Sequence, residues 1–506
     1  MQTTQSPAIP EMANGNRRTI PNYNPATMEV IDHVPVFTAA EVDALVKRAR
    51  KASKDWAALS LKERSRYLKR LQKVIVKRKD EIVHTICEET GKTEMDGILE
   101  VFTVCEHLNF TAKKGPSVLK PQKRSTGVFL NKAAYTNFQP LGVVGVISPW
   151  NYPFILTAGP VVQALMAGNT VVVKPSEVTP ATTLKLRELA TEAGIPEDVL
   201  LVATGDGPTG GAIVEHPDTD LICFTGSTAT GRKIGEICGR MLKPAILELG
   251  GKDPMVVFAD ANLERAANAA IWGGYSNSGQ TCISVERVLV EDKIHDKFVQ
   301  IVADRLKEMK QGMRHEHPSL GSMTFEKQVH IVTEHLEEAR QKGANHIMEG
   351  GRHGDFQGLF MKPAIVTEVT SEMKIWKEET FGPVIAVQRF QSEDEAINLA
   401  NGTTYGLNAS VWTKNKKKAK RVARSIHSGA ICINDVEANY IMSHLPFGGV
   451  KESGIGRVHG LEGLRSFTNM QAVLRDRFGM KKELWWFPYS EGRLKLFRRV
   501  INILFG

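Results

Sequence analysis

The sequence predicts an α/β fold made of two doubly wound parallel-sheet domains. Three observations carry this. The chain has 506 residues, too many for one hydrophobic core, so two large domains or more are expected. Its 42% hydrophobic and 24% charged residues are those of a globular protein. Short aliphatic runs alternate with helical patterns in two rounds, the rhythm of βα units on a mostly parallel sheet. The first round has runs at 143–147, 170–173, 200–203 and 221–224, and the second at 255–258, 285–290, 409–412 and 430–434.

Residues 1–20 are polar and contain proline, which reads as a mobile arm. Apolar residues recur at three- and four-residue spacing over 39–59 and 61–91, predicting two helices, and a third helix is expected over 94–112. The Lys77-Arg78-Lys79 cluster in the second reads as a solvated helix face. Residues 126–139 alternate apolar and polar, predicting an exposed hairpin. No basic segment leads into an apolar core before Asn16, so no secretory signal is expected, and no run of about 18 apolar residues spans a membrane. A cytoplasmic protein is the expectation.

Six cysteines, Cys87, Cys105, Cys223, Cys238, Cys282 and Cys432, are scattered without CxxC or a histidine at metal spacing. Neither a disulfide framework nor a metal site is expected, and a reducing compartment fits. The net charge is +9. Residues 475–506 hold eight Lys/Arg against three Asp/Glu, so +5 of it lies in the tail. A local basic tail without a recognition motif argues against nucleic acid.

The segment Gly279-Gln280-Thr281-Cys282-Ile283-Ser284 places a thiol on a loop between a helical run (263–275) and a strand-like run (285–291). A scaffold can present a nucleophile there. Glu248, at a strand end before Leu249-Gly250-Gly251-Lys252, offers a carboxylate. Pro149-Trp150-Asn151-Tyr152-Pro153 offers an amide donor after the strand at 143–147. Lys174-Pro175-Ser176-Glu177 follows the strand at 170–173, at the carboxyl end where open α/β sheets bind ligands, although an exposed ion pair is the plainer reading. Gly205-Asp206-Gly207-Pro208-Thr209-Gly210 matches a GxGxxG pattern but lacks the acid expected about 20 residues on. Its glycines suit a tight strand-to-helix turn equally well. Gly226-Ser227-Thr228-Ala229-Thr230-Gly231 opens a second helix, whose free N–H groups form an anion site.

Taken together, these motifs resemble the aldehyde dehydrogenase superfamily. The resemblance runs from Asn24-Pro25-Ala26-Thr27 to Phe467-Thr468 and includes Phe224-Thr225-Gly226-Ser227, Glu379-Thr380-Phe381-Gly382-Pro383 and Leu445-Pro446-Phe447-Gly448-Gly449. It is nearest to the hydrolytic members that oxidise semialdehydes and aliphatic aldehydes. It implies Cys282 as nucleophile, Asn151 with the Cys282 N–H as oxyanion hole, and Glu248 as the base that activates water for thioester hydrolysis. A general base at Glu248 favours a free acid as product over transfer to coenzyme A. The implied cofactor is NAD. Lys174 and Glu177 would hold the adenosine ribose, with Glu177 repelling a 2′-phosphate. Gly207 and Gly211 would lie near adenine, Gly226 and Ser227 beside the pyrophosphate, Glu379 on the nicotinamide ribose and Phe381 on the nicotinamide. Ile147, Trp150, Gly231 and Leu249 complete the expected cofactor set.

The domain expectation follows. Residues 1–123 and 141–249 form the dinucleotide-binding domain and 250–445 the catalytic domain. Residues 124–140, a small oligomerisation hairpin, and 446–479 bridge subunits of a homodimer or tetramer, and 480–506 form a basic amphipathic tail. In the tail, Lys495, Arg498, Arg499 and Asn502 make one helical stripe, and Leu494, Phe497, Val500, Ile501, Leu504 and Phe505 cover the rest, after Trp485-Trp486-Phe487-Pro488-Tyr489. Such a helix either docks on protein or lies in a membrane interface. The loop at 435–445, flanking the substrate mouth, holds Asp435, Glu437 and His444 but no Arg or Lys. An apolar aliphatic or aromatic aldehyde is therefore expected, with succinate semialdehyde as the alternative. A catalytically silent binding protein on the same fold is the competing class, which the presence of both Cys282 and Glu248 disfavours.

Overall fold

The computed structural model describes residues 17–506, which fall into two compact units. One comprises the described residues up to Leu119 together with Gln139–Asn469; the other comprises Lys120–Phe138 and Met470–Gly506.

The first unit is built on two sheets. The six-stranded sheet runs Gly454–Ile455, Ala245–Glu248, Leu221–Thr225, Val143–Ile147, Thr170–Lys174 and Leu200–Val202. All its pairings are parallel except that of the edge strand Gly454–Ile455. The seven-stranded sheet runs Asn345–Glu349, Ala364–Thr367, Val384–Phe390, Arg287–Glu291, Pro254–Val257, Ser410–Trp412 and Cys432–Ile433. It too is parallel but for one antiparallel edge, Asn345–Glu349. Strands such as Val143–Ile147 and Thr170–Lys174 are buried throughout. They read as continuous aliphatic runs because helices cover both faces of the sheet.

Local chemistry explains the flanking helices. Ala39–Ala58 and Leu61–Lys77 each begin at a capping box, Thr38 with Glu41 and Ser60 with Glu63. Each cap satisfies N–H groups that the first turn leaves open. The single helix expected over 61–91 is two. Arg78 leaves helical geometry between Leu61–Lys77 and Lys79–Thr90. Its guanidinium pairs with Glu81, Glu188 and Glu192, so the centre of the basic cluster is an ion-pair node rather than a solvated face. The third helix runs to Leu119, past the expected end, and carries Pro116 inside it.

Residues 1–16 of the expected arm lie outside the described residues. Thr19–Tyr23 is not arm but a strand, paired antiparallel with Val30–Pro35. Within 446–469, Gly454–Ile455 joins the six-stranded sheet beside Glu248. Register requires a glycine at 454, because its φ is +145° and a Cβ would lie 2.1 Å from the Leu247 carbonyl oxygen.

In the second unit, Gln122–Arg124 pairs antiparallel with Lys132–Pro140, which in turn neighbours Thr468–Asp476. Buried Lys132 pairs with Asp476 at 2.7 Å and more closely with Glu483. Helix Glu491–Phe505 is capped by Ser490. Leu496, Phe497, Val500 and Leu504 line a groove with Val128, Phe129 and Trp485. Of its apolar residues Phe497 and Val500 are half-buried, and Leu494, Leu496, Ile501, Ile503, Leu504 and Phe505 are exposed.

Candidate active site

Cys282 sits on a loop held in an unusual backbone conformation. After helix Leu263–Tyr275, Asn277, Ser278 and Gly279 all have positive φ, at 51°, 55° and 75°. A Cβ on Gly279 would lie 2.0 Å from the Gly382 carbonyl oxygen, so only glycine fits. Three consecutive left-handed residues persist only where the surrounding fold over-determines them, as at functional sites. The loop is anchored by Ser278 Oγ donating to the Gly321 carbonyl and by Gln280, whose Oε1 accepts from the Thr324 N–H.

Asn151 follows strand Val143–Ile147, and its Nδ2 donates to the Gln280 carbonyl at 2.9 Å. Two residues that the sequence did not single out hold its loop. Lys92 Nζ donates to the Asn151 carbonyl and to Glu100 Oε1, both at 2.7 Å. Glu100 Oε2 accepts from the N–H groups of Phe154 and Ile155 at the start of helix Ile155–Ala167. A carboxylate there suits the positive end of the helix dipole. Lys92 also lies 4.1 Å from the centre of the Tyr152 ring, and the Tyr152 hydroxyl lies 3.0 Å from Thr281 Oγ1. The available signal was Gly91-Lys92 at a helix end, which alone specifies nothing.

Glu379 and Phe381 depend on a second buried pair that the sequence reading also missed. Lys252 pairs with Glu286. Glu286 accepts from the Thr380 and Phe381 N–H groups at 2.8 Å each, and Lys252 donates to Thr380 Oγ1. Phe381 is held at φ +52°, with its ring 5.4 Å from that of Trp150. Glu379 Oε1 accepts from the Gly251 N–H at 3.0 Å.

A cleft of about 230 Å³ gathers Trp150, Asn151, Gly226, Ser227, Glu248, Leu249, Cys282, Glu379 and Phe381. The other expected cofactor residues lie outside its lining. Lys174 pairs with Glu177 at 2.8 Å, and a Cβ on Gly210 would stand 3.7 Å from Lys174 Cδ and 3.9 Å from Ile147 Cδ1. Ile147 and Lys174 therefore share the strand ends beside the Gly207–Glu215 helix, where Gly207 and Gly211 have open space above them. Gly226 does not offer a free N–H, since it donates to the Glu248 carbonyl at 3.0 Å. Ser227 caps helix Thr228–Arg240 by accepting from the Thr230 N–H. Gly231 admits the Leu249 side chain, whose Cδ2 would lie 2.3 Å from a Cβ there. A helix N-terminus, an aromatic pair and a ribose-sized set of polar groups converging on one cleft with Cys282 fit a dinucleotide.

A second cavity of about 80 Å³ meets Cys282 and is lined mainly by Leu99, Ile155, Leu156, Trp272, Ile283, Tyr440 and Ile441. Asp96, Glu100 and Glu437 also border it, and no Arg or Lys does. Burial raises the Asp96 and Glu437 carboxyls, Glu437 well above the usual range.

Carboxyls dominate the electrostatics at the thiol. Burial first, then the carboxyls of Glu379, Asp253, Glu248 and Glu437, push the Cys282 thiol well above its ordinary pKa. Burial raises Glu248 strongly and Glu379 to about 8. Neither oxygen of Glu248 has a hydrogen-bond partner in the protein. A nucleophile, an amide donor and an unengaged carboxyl around one cleft have the composition of an acyl-transfer site. Among the described residues no cluster of three or more His, Cys, Asp or Glu is arranged to hold a metal.

Residues 12–473 match the aldehyde dehydrogenase family, and the chain belongs to it. It is 38% identical over 491 residues to a 4,4'-diapolycopene aldehyde oxidase of Methylomonas sp, covering 96% of this chain and 92% of that protein. The crystal structure of an NAD-dependent aldehyde dehydrogenase from Sinorhizobium meliloti superposes with a TM-score of 0.89 at 36% identity, over 93% of each chain. An E. coli NADP-dependent enzyme superposes with a TM-score of 0.87 at 32% identity, over 91% of this chain and 95% of that one.

Proposed function

We propose that this protein oxidises an apolar aldehyde to the free carboxylic acid with NAD, through a thioester on Cys282. The observation that carries the reading is the convergence of Cys282, Asn151 and Glu248 on the cleft, with Glu248 unengaged. When bound, NAD supplies the hydride acceptor. The Cys282 sulfur adds to the aldehyde carbon as a thiolate. The second amide hydrogen of Asn151 and the Cys282 N–H donate to the oxyanion that forms. After oxidation the acyl group remains on sulfur, and Glu248, ionised, takes a proton from the water that attacks it.

Glu177 supports NAD over NADP, because a carboxylate at the ribose repels a 2′-phosphate; the Glu177–Lys174 pair leaves the second Glu177 oxygen for a hydroxyl. The substrate reading rests on the cavity at Cys282, with its apolar walls and lack of any cation to hold a carboxylated semialdehyde. The Methylomonas relative is named a 4,4'-diapolycopene aldehyde oxidase.

A homodimer or tetramer, built through the sheet of the second unit, and a cytoplasmic location belong to the same reading. So does a peripheral membrane contact. Helix Glu491–Phe505 exposes Leu494, Ile501, Ile503 and Phe505 beside Arg498 and Arg499, next to exposed Trp485, Trp486 and Tyr489. That is the composition of a headgroup-zone helix, and among the described residues no helix is long and apolar enough to cross a membrane. The test of the substrate reading is kcat/KM over aldehydes graded in chain length and charge. The value rises with apolar length and falls for succinate semialdehyde; the reverse order refutes it.

A further inference from the structure

Behind the nucleophile lies a small cavity of about 20 Å³, with Glu248, Cys282, Tyr440, Phe447, Val458 and His459 in its walls. Its volume exceeds the ~10–15 Å³ that one water needs. Both oxygens of Glu248 and both ring nitrogens of His459 lack hydrogen-bond partners in the protein, and both residues are buried. His107, from helix Glu94–Leu119, packs on His459 with ring centroids 4.0 Å apart. A Cβ on Gly159 would stand 3.4 Å from His107 Nδ1 and 3.6 Å from His459 Nε2, so the two nitrogens face the same gap. Buried polar atoms left unpaired cost free energy, and a carboxyl and an imidazole both unpaired in the walls of one small cavity mark it as a place for a polar guest.

The backbone agrees. His459 is held at φ +58°, a region costly for a residue with a side chain. The distortion comes where the chain turns from the edge strand into helix Gly460–Ser466, and it sets the imidazole among Tyr440, Phe447 and His107.

We propose that His459, backed by His107, is a positioning residue for thioester hydrolysis: its imidazole and the Glu248 carboxylate hold one water between them in this cavity, facing Cys282. The inference rests on the reading of Cys282 and Glu248 given above. Burial holds both imidazoles neutral, His459 well below the usual value and His107 at about 4, so the His459 nitrogen that meets the water either donates to it or accepts from it. In the step itself the water oxygen bonds to the thioester carbon and its proton passes to Glu248. The carbon–sulfur bond breaks with its electron pair on sulfur, and carboxylic acid and Cys282 thiolate result.

The experiment compares the first-turnover burst of NADH with the steady rate in the full-length enzyme. His459→Leu keeps a burst of about one NADH per active site and lowers the steady rate about tenfold, the contribution of one hydrogen bond. His459→Gln, whose amide both donates and accepts, recovers most of that rate. Should His459→Leu not fold, His459→Phe, which keeps a flat ring but has no ring nitrogen, carries the same comparison. An unchanged steady rate in His459→Leu overturns the proposal, as does an equal fall of burst and steady rate in both histidine variants. Full steady turnover by Cys282→Ala would instead overturn the thioester reading beneath it.

Discussion

Replacing Glu248 by Gln separates the two halves of the proposed reaction. Neither carboxylate oxygen is hydrogen-bonded to protein, so the substitution breaks no bond and keeps the shape. Acylation of Cys282 does not use the base, so a burst of about one NADH per active site persists. Hydrolysis loses general-base assistance, typically 10²–10⁴-fold, or about 3–5 kcal/mol in barrier. Stopped-flow absorbance at the reduced-nicotinamide band reads both phases. A pH series adds a sign. Burial raises the Glu248 pKa, so the wild-type steady rate climbs as pH rises through that value and the base ionises; in Glu248→Gln that limb is absent. Stability moves the opposite way. A carboxyl whose folded pKa lies above its unfolded one contributes stability fully present below the unfolded value and lost as pH rises through the folded value. The wild type therefore loses more melting temperature toward alkaline pH than Glu248→Gln does. Equal loss of burst and steady rate would refute the role, because it would place Glu248 before the thioester.

Three further outcomes are expected. Glu177→Ser narrows a preference for NAD over NADP of about tenfold or more in kcat/KM, about 1.4 kcal/mol; a wild-type enzyme that prefers NADP contradicts the reading of that carboxylate. Deleting residues 490–506, which spares the Lys132–Glu483 pair, abolishes co-sedimentation with anionic liposomes and keeps activity on a short soluble aldehyde. Arg498→Glu with Arg499→Glu weakens that co-sedimentation by about 1 kcal/mol for each basic charge lost; loss of oligomer on truncation with no liposome binding by the intact protein means a subunit contact instead. Lys92→Met leaves Glu100 buried and unpaired and costs about 3–5 kcal/mol in denaturant titration, part of which Glu100→Gln in the same chain restores.

Strands were legible where burial on both faces makes aliphatic runs, as at Val143–Ile147 and Thr170–Lys174. Edge strands such as Asn345–Glu349, with alternating exposure, and the two-residue Gly454–Ile455 carry no such run and passed unseen. The chemistry was legible where it uses a short motif: Cys282, Glu248 and Asn151 do line one cleft. Three of the glycines and serines assigned to the cofactor turn out to have structural duties. Gly226 spends its N–H on Glu248, Ser227 caps a helix and Gly231 admits Leu249. A motif identifies which backbone comes close to a ligand but not which of its polar groups is already engaged. His107 and His459 lie 352 positions apart in sequence, and only folding brings them to a ring separation of 4.0 Å.

The residues farthest from any motif explain why the site holds its shape. Two buried Lys–Glu pairs, Lys92–Glu100 and Lys252–Glu286, have almost no solvent exposure. Such pairs contribute little net stability, since desolvation offsets attraction; what these two supply is direction. The first grips the Asn151 carbonyl with its lysine and the Phe154 and Ile155 N–H groups with its glutamate. The second grips the Thr380 hydroxyl with its lysine and the Thr380 and Phe381 N–H groups with its glutamate. One loop carries Asn151, the proposed oxyanion donor, and the other the residues assigned to the nicotinamide riboside, and they approach Cys282 from different sheets. Each pair fixes backbone, the second a threonine hydroxyl as well, so the loop cannot relax without leaving a buried charge unpaired. Between these fixed loops Glu248, Glu379, Asp253 and Glu437 all act on the Cys282 thiol, and Glu248 is left unengaged by protein, as its proposed role as a base that meets water requires.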